Sequence, residues 1–267
     1  RLDAELVLAQ VLGVARAQLP ARWRQTLGDA AARDFTALVR RRVAHEPVAY
    51  LLGRRDFYDL TLQVDGRVLI PRPESEHLVE AVLRWAAPER AWRVADVGTG
   101  SGALAVALAR HLPRARVVAC DRSLAALQVA RANVARYGLQ ARVRLVCCHL
   151  LSALAGPFDC IVANLPYVQS DEIPSLMPDV AAYEPRLALD GGPDGLRLIA
   201  RLLQEAPTRL ARPGLLLLEL DPRQAGRAVA LAREAFPSGE IAVLPDLAHR
   251  DRVLSVTLSA PRRGASV

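Results

Sequence analysis

The chain predicts an α/β fold, a mostly parallel sheet covered by helices, with a small helical unit ahead of it. Three observations carry that prediction. From residue 93 onward, short β-like runs alternate with helical patterns, as successive βαβ units require. A glycine-rich segment, Asp96-Val97-Gly98-Thr99-Gly100-Ser101-Gly102, stands where the first of those runs gives way to a helical pattern. Residues 2–50, by contrast, place apolar side chains at spacings of three and four and show no strand pattern.

Taken in order, the helical unit of residues 1–54 rests on Leu6, Val7, Leu8, Val11 and Leu12, then Phe35, Leu38, Val39 and Val43. Within residues 55–72 the period changes to two. Phe57, Tyr58, Leu60, Leu62 and Val64 run into Asp65-Gly66 and out through Val68-Leu69-Ile70, which predicts a β-hairpin turning at Asp65-Gly66 and linking two domains. Residues 73–267 then form the large domain. Strands are expected at 93–97, 116–120, 143–147, 159–163 and 214–220, and helices at 102–111, 123–136, 195–211 and 222–235. Two more β-like runs, 240–244 and 252–258, have no helix between them and are expected to pair antiparallel at one edge. There is no internal repeat or low-complexity tract.

At 267 residues the chain can bury a full core. No run of 18 apolar residues lacks a charge, and no signal-like stretch precedes the first helix, so a soluble, unexported, cytoplasmic protein is expected. Because the sequence opens on Arg1 rather than Met, a natural start upstream is expected as well. The four cysteines, Cys120, Cys147, Cys148 and Cys160, lie in or beside strand candidates without metal-ligand spacing, so buried, reduced thiols and no metal are expected. The net charge is +7, and all 35 basic residues are Arg. That uniformity points to coding bias and a solvated charged surface rather than a designed nucleic-acid face. Residues 1–54 nevertheless hold nine Arg against five Asp or Glu, with a run at Arg40-Arg41-Arg42. A basic N-terminal part suits docking on an acidic protein or an RNA, and charge alone does not choose between them.

The first motif with chemistry is the glycine loop. Gly98, Gly100 and Gly102 let the backbone turn tightly and approach a ligand, with Thr99 and Ser101 between them. Glycine-rich turns of this kind also serve packing, and dinucleotide dehydrogenases use similar parts. Asp121 strengthens the ligand reading: it ends the next strand about twenty residues on, where a carboxylate can accept from both ribose hydroxyls. Its alternative role is to cap the helix that follows. The second motif, Asn164-Leu165-Pro166-Tyr167, follows the apolar run Cys160-Ile161-Val162-Ala163. An amide or aromatic amine nitrogen is a poor nucleophile because its lone pair is delocalised. Two acceptors on its N–H bonds correct that, and the Asn164 side-chain oxygen and the Leu165 carbonyl can fill the two positions. Pro166 restricts Leu165 to an extended conformation and so aims its carbonyl, while Tyr167 can pack against the planar substrate group. The chemistry expected is methyl transfer to a planar nitrogen.

With these residues the sequence resembles the HemK/PrmC family, which methylates a glutamine side-chain amide in peptide chain release factors. The likeness extends over Glu46-Pro47-Val48-Ala49-Tyr50-Leu51-Leu52-Gly53, Phe57-Tyr58 and Leu69-Ile70-Pro71-Arg72-Pro73-Glu74-Ser75-Glu76. It continues in Tyr183-Glu184-Pro185, Ala188-Leu189 and His249-Arg250-Asp251-Arg252-Val253. The resemblance implies a helical N-terminal domain that docks the release factor, a hairpin, and a seven-stranded, Rossmann-like class I S-adenosylmethionine-dependent methyltransferase domain. It places cofactor contacts on Gly98, Thr99, Gly100, Ser101, Gly102, Asp121, Leu150 and Asn164, and the substrate glutamine, that of a Gly-Gly-Gln loop, on Asn164, Leu165, Pro166 and Tyr167.

The chain departs from the family pattern in three places. Leu165 stands where the family usually has the first proline of Asn-Pro-Pro-Tyr. Cys147-Cys148-His149-Leu150 lacks the acidic residue and the aromatic that often flank the adenine. About twenty residues of a typical member's start have no counterpart here, which bears on the docking surface. The tetrapeptide is also similar to that of ribosomal RNA adenine dimethyltransferases, so an rRNA or DNA adenine amino-methyltransferase is one alternative. A methyltransferase-like binding protein without catalysis is the other, although Asp121 and Asn164 are both retained. The expected partner is a release factor, with a monomeric enzyme and no nucleic-acid substrate.

Overall fold

The computed structural model describes residues 1–260; residues 261–267, the end of the expected large domain, lie outside the described residues. The N-terminal helical stretch resolves into α1 (Leu2–Leu12), α2 (Asp29–Val43) and α3 (Val48–Leu52). α1 stops at Gly13, which adopts the left-handed conformation and donates back to the last turn. α2 carries Asp29 in its first turn and Arg40, Arg41 and Arg42 in its last, both favourable to the helix dipole. Arg42 Nε reaches Asp3 at 2.7 Å and pins α2 to α1.

The hairpin forms, but not where its turn was expected. β1 (Arg54–Phe57) pairs antiparallel with β2 (Leu60–Gln63), Phe57 opposite Leu60, so the turn is Tyr58-Asp59 with Tyr58 at φ 57°. That register keeps Phe57, Leu60 and Leu62 buried together. Asp65-Gly66 makes a local turn instead, in which the Asp65 carboxylate accepts from Arg67 N at 3.0 Å and the Asp65 carbonyl from Val68 N at 3.1 Å. Val64, Val68 and Ile70 leave the ladder because they find a better burial against Tyr50, Ala126 and Val129. Tyr50 Oη donates to the Val68 carbonyl at 2.6 Å, and Tyr183 Oη to the Ala44 carbonyl at 2.6 Å, fastening the helical segment to the rest.

The remainder runs α4 (Glu76–Trp85), β3 (Arg93–Val97), α5 (Ala103–His111), β4 (Arg116–Asp121), α6 (Leu124–Arg136), β5 (Val143–Cys147) and β6 (Phe158–Ala163). It continues through β7 (Val168–Gln169), α7 (Pro178–Tyr183), β8 (Asp190–Gly192), α8 (Arg197–Glu205), β9 (Leu210–Glu219), α9 (Ala225–Ala235), β10 (Glu240–Pro245) and β11 (Asp251–Leu258). A seven-stranded sheet has the order β10-β11-β9-β6-β3-β4-β5. β5, β4, β3, β6 and β9 are parallel, and β11 and β10 close the edge antiparallel, as the sequence predicts. Helix α8 ends earlier than the expected residue 211 because Leu210 already enters β9. The two-stranded β7-β8 ladder and α7 carry no clear sequence period.

Both faces of the sheet are buried, which is why its strands read as continuous apolar runs. Val94, Val117, Cys160, Val162, Leu215 and Leu217 face the layer holding α4 and α5. Ala95, Val97, Ile161, Ala163, Leu216 and Leu218 face the layer holding α8 and α9. The cysteine expectation holds only in part. All four are unpaired, but Cys147, at the end of edge strand β5, is exposed, and Cys148 is half-buried. Among the described residues no helix is long and apolar enough to cross a membrane.

Candidate active site

Sheet register assembles the site. Val97 of β3 lies beside Cys120 of β4 on one side and Ala163 of β6 on the other, and Ala163 lies beside Leu218 of β9. One residue further, the four strands deliver Asp121, Gly98, Asn164 and Glu219 side by side at their carboxyl ends. This is the position, next to the reversal of strand order, at which open α/β sheets bind ligands.

The glycine loop leaves β3 with Gly98 and Thr99 both donating to the Cys120 carbonyl at 2.9 Å. A Cβ on Gly98, at φ +75°, would lie 3.1 Å from Leu165 Cδ2, so the loop packs directly on the tetrapeptide. Gly102, at φ 83°, precedes α5 and sits against Ala130. It shapes the turn, while Gly98, Thr99, Gly100 and Ser101 line the cleft. Asp121 accepts from Gly100 N at 3.0 Å and from Ser123 N at 2.8 Å. The cap of α6 is Ser123, whose Oγ accepts from Ala126 N at 3.1 Å, so Asp121 is free of that duty and faces the cleft. Leu150 lines the same wall beside His149, in the left-handed conformation, with its carbonyl accepting from the Cys120 and Cys148 thiols.

Asp96 belongs to the site although the sequence assigned it no role. Its Oδ2 accepts from Thr99 Oγ1 at 2.6 Å and Ala105 N at 3.1 Å, whereas the buried Oδ1 has no partner. Burial, helped by the nearby Asp121 charge and opposed by those two hydrogen bonds, pushes its carboxyl up to about 7. Asp96 Oδ1, buried and without a partner beside the cleft, is an acceptor that a cationic ligand group such as the ammonium of S-adenosylmethionine would satisfy. The glycine loop and Asp121 fit its nucleoside part.

Asn164 Nδ2 donates to Ser75 Oγ at 2.8 Å, which leaves Asn164 Oδ1 as the open end of the amide. Ser75 Oγ in turn donates to Glu219 Oε2 at 2.5 Å. Tyr167 Oη donates to the other oxygen, Glu219 Oε1, at 3.1 Å. Tyr167 was expected to offer its ring to the substrate group. In the structure its ring packs, partly buried, on the inner core, and its hydroxyl tethers the tetrapeptide to β9. Behind it, Gln224 Nε2 donates to the Tyr167 carbonyl at 2.8 Å and to the Asp194 carbonyl at 3.2 Å. Asn164, Leu165 and Pro166 line the cleft.

The segments around the two motifs converge here. Glu184, buried, accepts from Ile70 N at 3.2 Å and pairs with Arg72. Pro-Arg-Pro-Glu-Ser and Tyr-Glu-Pro are thus tied to each other beside one cleft, which Arg72 and Ser75 of the first and Pro185 of the second line. Ser75 and Glu219 join this hydrogen-bond network, and motif reading gave neither of them a part in it. A lone acid in the apolar run Leu215–Leu220 was the available signal, since an isolated carboxylate in a buried strand needs a reason.

Residues 1–53 match the PrmC N-terminal domain, and residues 75–182 match the methyltransferase small domain. A release factor glutamine methyltransferase of Moorella thermoacetica is 46% identical over 253 residues, covering 94% of this chain and 89% of that protein. One from Rhodopirellula baltica is 42% identical over 262 residues, covering 96% and 88%. The crystal structure of a ribosomal protein L11 methylase from Lactobacillus delbrueckii subsp. bulgaricus shares the fold, with TM-score 0.54 at 22% identity over 77% of this chain and 90% of that one. With identity of this order along nearly its whole length, and with both motifs meeting in one cleft, the chain belongs to the release factor glutamine methyltransferase family.

Proposed function

We propose that this enzyme methylates the side-chain amide nitrogen of the glutamine in a Gly-Gly-Gln loop of peptide chain release factors, with Asn164 and the Leu165 carbonyl as the two acceptors. The observation that carries the reading is the direction of the Asn164 amide: with Nδ2 committed to Ser75, its oxygen is what the cleft receives. When bound, S-adenosylmethionine supplies an electrophilic methyl group on a sulfonium. Gly98, Thr99, Gly100 and Ser101 would bring backbone close to it, Asp121 would accept from its ribose hydroxyls, Asp96 would pair with its ammonium, and Leu150 would cover its adenine. Asn164 Oδ1 and the Leu165 carbonyl take the two N–H bonds of the substrate amide, which draws electron density back onto nitrogen and fixes its orientation. The nitrogen sheds a proton only after it has been methylated and has become acidic, so no strong base is required.

The helical segment of residues 1–54, with its excess of Arg, is the proposed docking domain, residues 55–72 the link, and the remainder the catalytic domain. The enzyme acts as a monomer on a protein rather than a nucleic acid, in the cytoplasm where release factors work. The test is methyl transfer from radiolabelled S-adenosylmethionine to a purified release factor, to its variant with the loop glutamine replaced by alanine, and to naked ribosomal RNA. Label on the intact factor alone is the expected result; label on RNA would move the chain to the adenine enzymes.

A further inference from the structure

Asn164 can present either end of its amide to the cleft, because oxygen and nitrogen are nearly the same size and only hydrogen bonding distinguishes them. The proposed reaction needs the oxygen. Ser75 Oγ, the Asn164 partner, could accept from Nδ2 or donate to Oδ1, so it does not settle the direction by itself. What settles it lies one step further into the sheet. Glu219 is 1% exposed, and its two oxygens receive two hydroxyls, Ser75 Oγ at 2.5 Å and Tyr167 Oη at 3.1 Å. The shorter contact falls in the range of hydroxyl donors on an ionised carboxylate. Burial, with the charge of Glu74, pushes the Glu219 carboxyl up, and the two hydroxyl hydrogen bonds and Arg252, from β11, act the other way. With a hydroxyl donating to each of its two oxygens, the Glu219 carboxyl acts here as an acceptor.

We propose that Glu219 is a positioning residue for methyl transfer: by consuming the Ser75 proton it leaves Ser75 able only to accept, which turns Asn164 Nδ2 inward and Asn164 Oδ1 toward the substrate amide. The inference rests on the proposed glutamine reaction for its purpose and on the geometry of Asn164, Ser75 and Glu219 for its substance. The three residues come from separate parts of the chain, the end of β6, the turn at residues 73–75 and β9, and the direction of donation along them is consistent at each step. Tyr167 gives the carboxylate its second donor and so couples the far end of the tetrapeptide to the same group.

Glu219→Gln tests this with almost no change of shape. The new amide can donate to Ser75 Oγ, which frees the Ser75 proton for Asn164 Oδ1 and turns Nδ2 into the cleft, donor facing donor. The expected result is a fall in kcat of about tenfold to a hundredfold, with the Kd for S-adenosylmethionine and the KM for the release factor changed by less than about twofold. Ser75→Ala removes the orienting acceptor without inverting the amide, so its loss is smaller. Because the Glu219→Gln change could invert the Asn164 amide only through Ser75, the Glu219→Gln/Ser75→Ala double variant should be no slower than Ser75→Ala alone. Glu219→Asp keeps the charge and should recover part of the rate. Wild-type rate in Glu219→Gln, or single effects that multiply in the double variant, would overturn the proposal. Selective labelling gives a readout independent of turnover: a nuclear Overhauser contact from the Asn164 side-chain N–H to Ser75 Hβ, present in the wild type and lost in Glu219→Gln. Persistence of that contact in the variant overturns the relay. A wild-type enzyme that fails to label the release factor overturns the substrate assignment instead, and the Overhauser comparison still decides the relay.

Discussion

Asp96→Asn separates the energetic cost of this site from its use. Asp96 is 1% exposed with one unpartnered carboxylate oxygen, and its folded-state value of about 7 stands above the ordinary 3.8. The sign follows from linkage. Between about pH 4 and 7 the folded protein holds a proton on this group that the unfolded chain has released, so stability falls as pH rises across that window. Below about pH 4 both states are protonated and the cost vanishes; above pH 7 it is complete, about 3 units at 1.36 kcal/mol each, or about 4 kcal/mol. Asparagine has the same shape, keeps an acceptor for Thr99 and Ala105, and carries no charge. The variant without ligand should therefore be more stable than the wild type by up to about 4 kcal/mol near pH 8 and by less than about 1 kcal/mol near pH 4. The assay is urea unfolding at both pH values, with and without S-adenosylmethionine. Added ligand should raise the wild-type midpoint more than that of the variant, because the charge that partners its ammonium is gone, and the variant should bind at least about tenfold more weakly. A stability difference independent of pH, or unchanged ligand affinity, would refute both the buried charge and its proposed partner.

Three further outcomes test the surrounding geometry. Asn164→Ala should lower turnover about a hundredfold while leaving cofactor binding nearly intact, as expected for one lost transition-state acceptor; a calorimetric Kd beside single-turnover rates checks it, and unchanged turnover would remove Asn164 from its role. Leu165→Pro should retain turnover within about threefold, since the acting group is the backbone carbonyl and Pro166 already restricts this residue; a dead variant would mean that the carbonyl points elsewhere. Gly195→Ala would place a Cβ 2.2 Å from the Tyr167 carbonyl and 2.1 Å from Gln224 Nε2 at φ +71°. It should cost at least about 2 kcal/mol and slow transfer by displacing the tetrapeptide; a wild-type urea midpoint would show that this backing is not rigid.

The sequence alone determined the architecture and the chemistry. Alternating β-like and helical runs marked the parallel sheet because strands covered on both faces must be apolar throughout. The final two runs, lacking a helix between them, could only return antiparallel. The glycine loop, Asp121 and Asn164-Leu165-Pro166-Tyr167 were legible because each needs particular residue types at a strand end. Local pattern misplaced the hairpin turn, since Asp65-Gly66 is a good turn wherever it occurs, and only the joint burial of Phe57, Leu60 and Leu62 selects Tyr58-Asp59. Nor did it show that Tyr167 is held by Glu219 or that Gly102 packs on Ala130. What tertiary structure decided was register: four strands far apart in the chain end level, and this alone sets Asp121, Gly98, Asn164 and Glu219 in one row. Ser75 and Glu219 lie 144 residues apart, yet meet in one hydrogen bond. Spacing along a chain reports the period of a strand or helix, but which strands lie side by side depends on the packing of the whole sheet, so the direction of the Asn164 amide could be read only from the folded molecule.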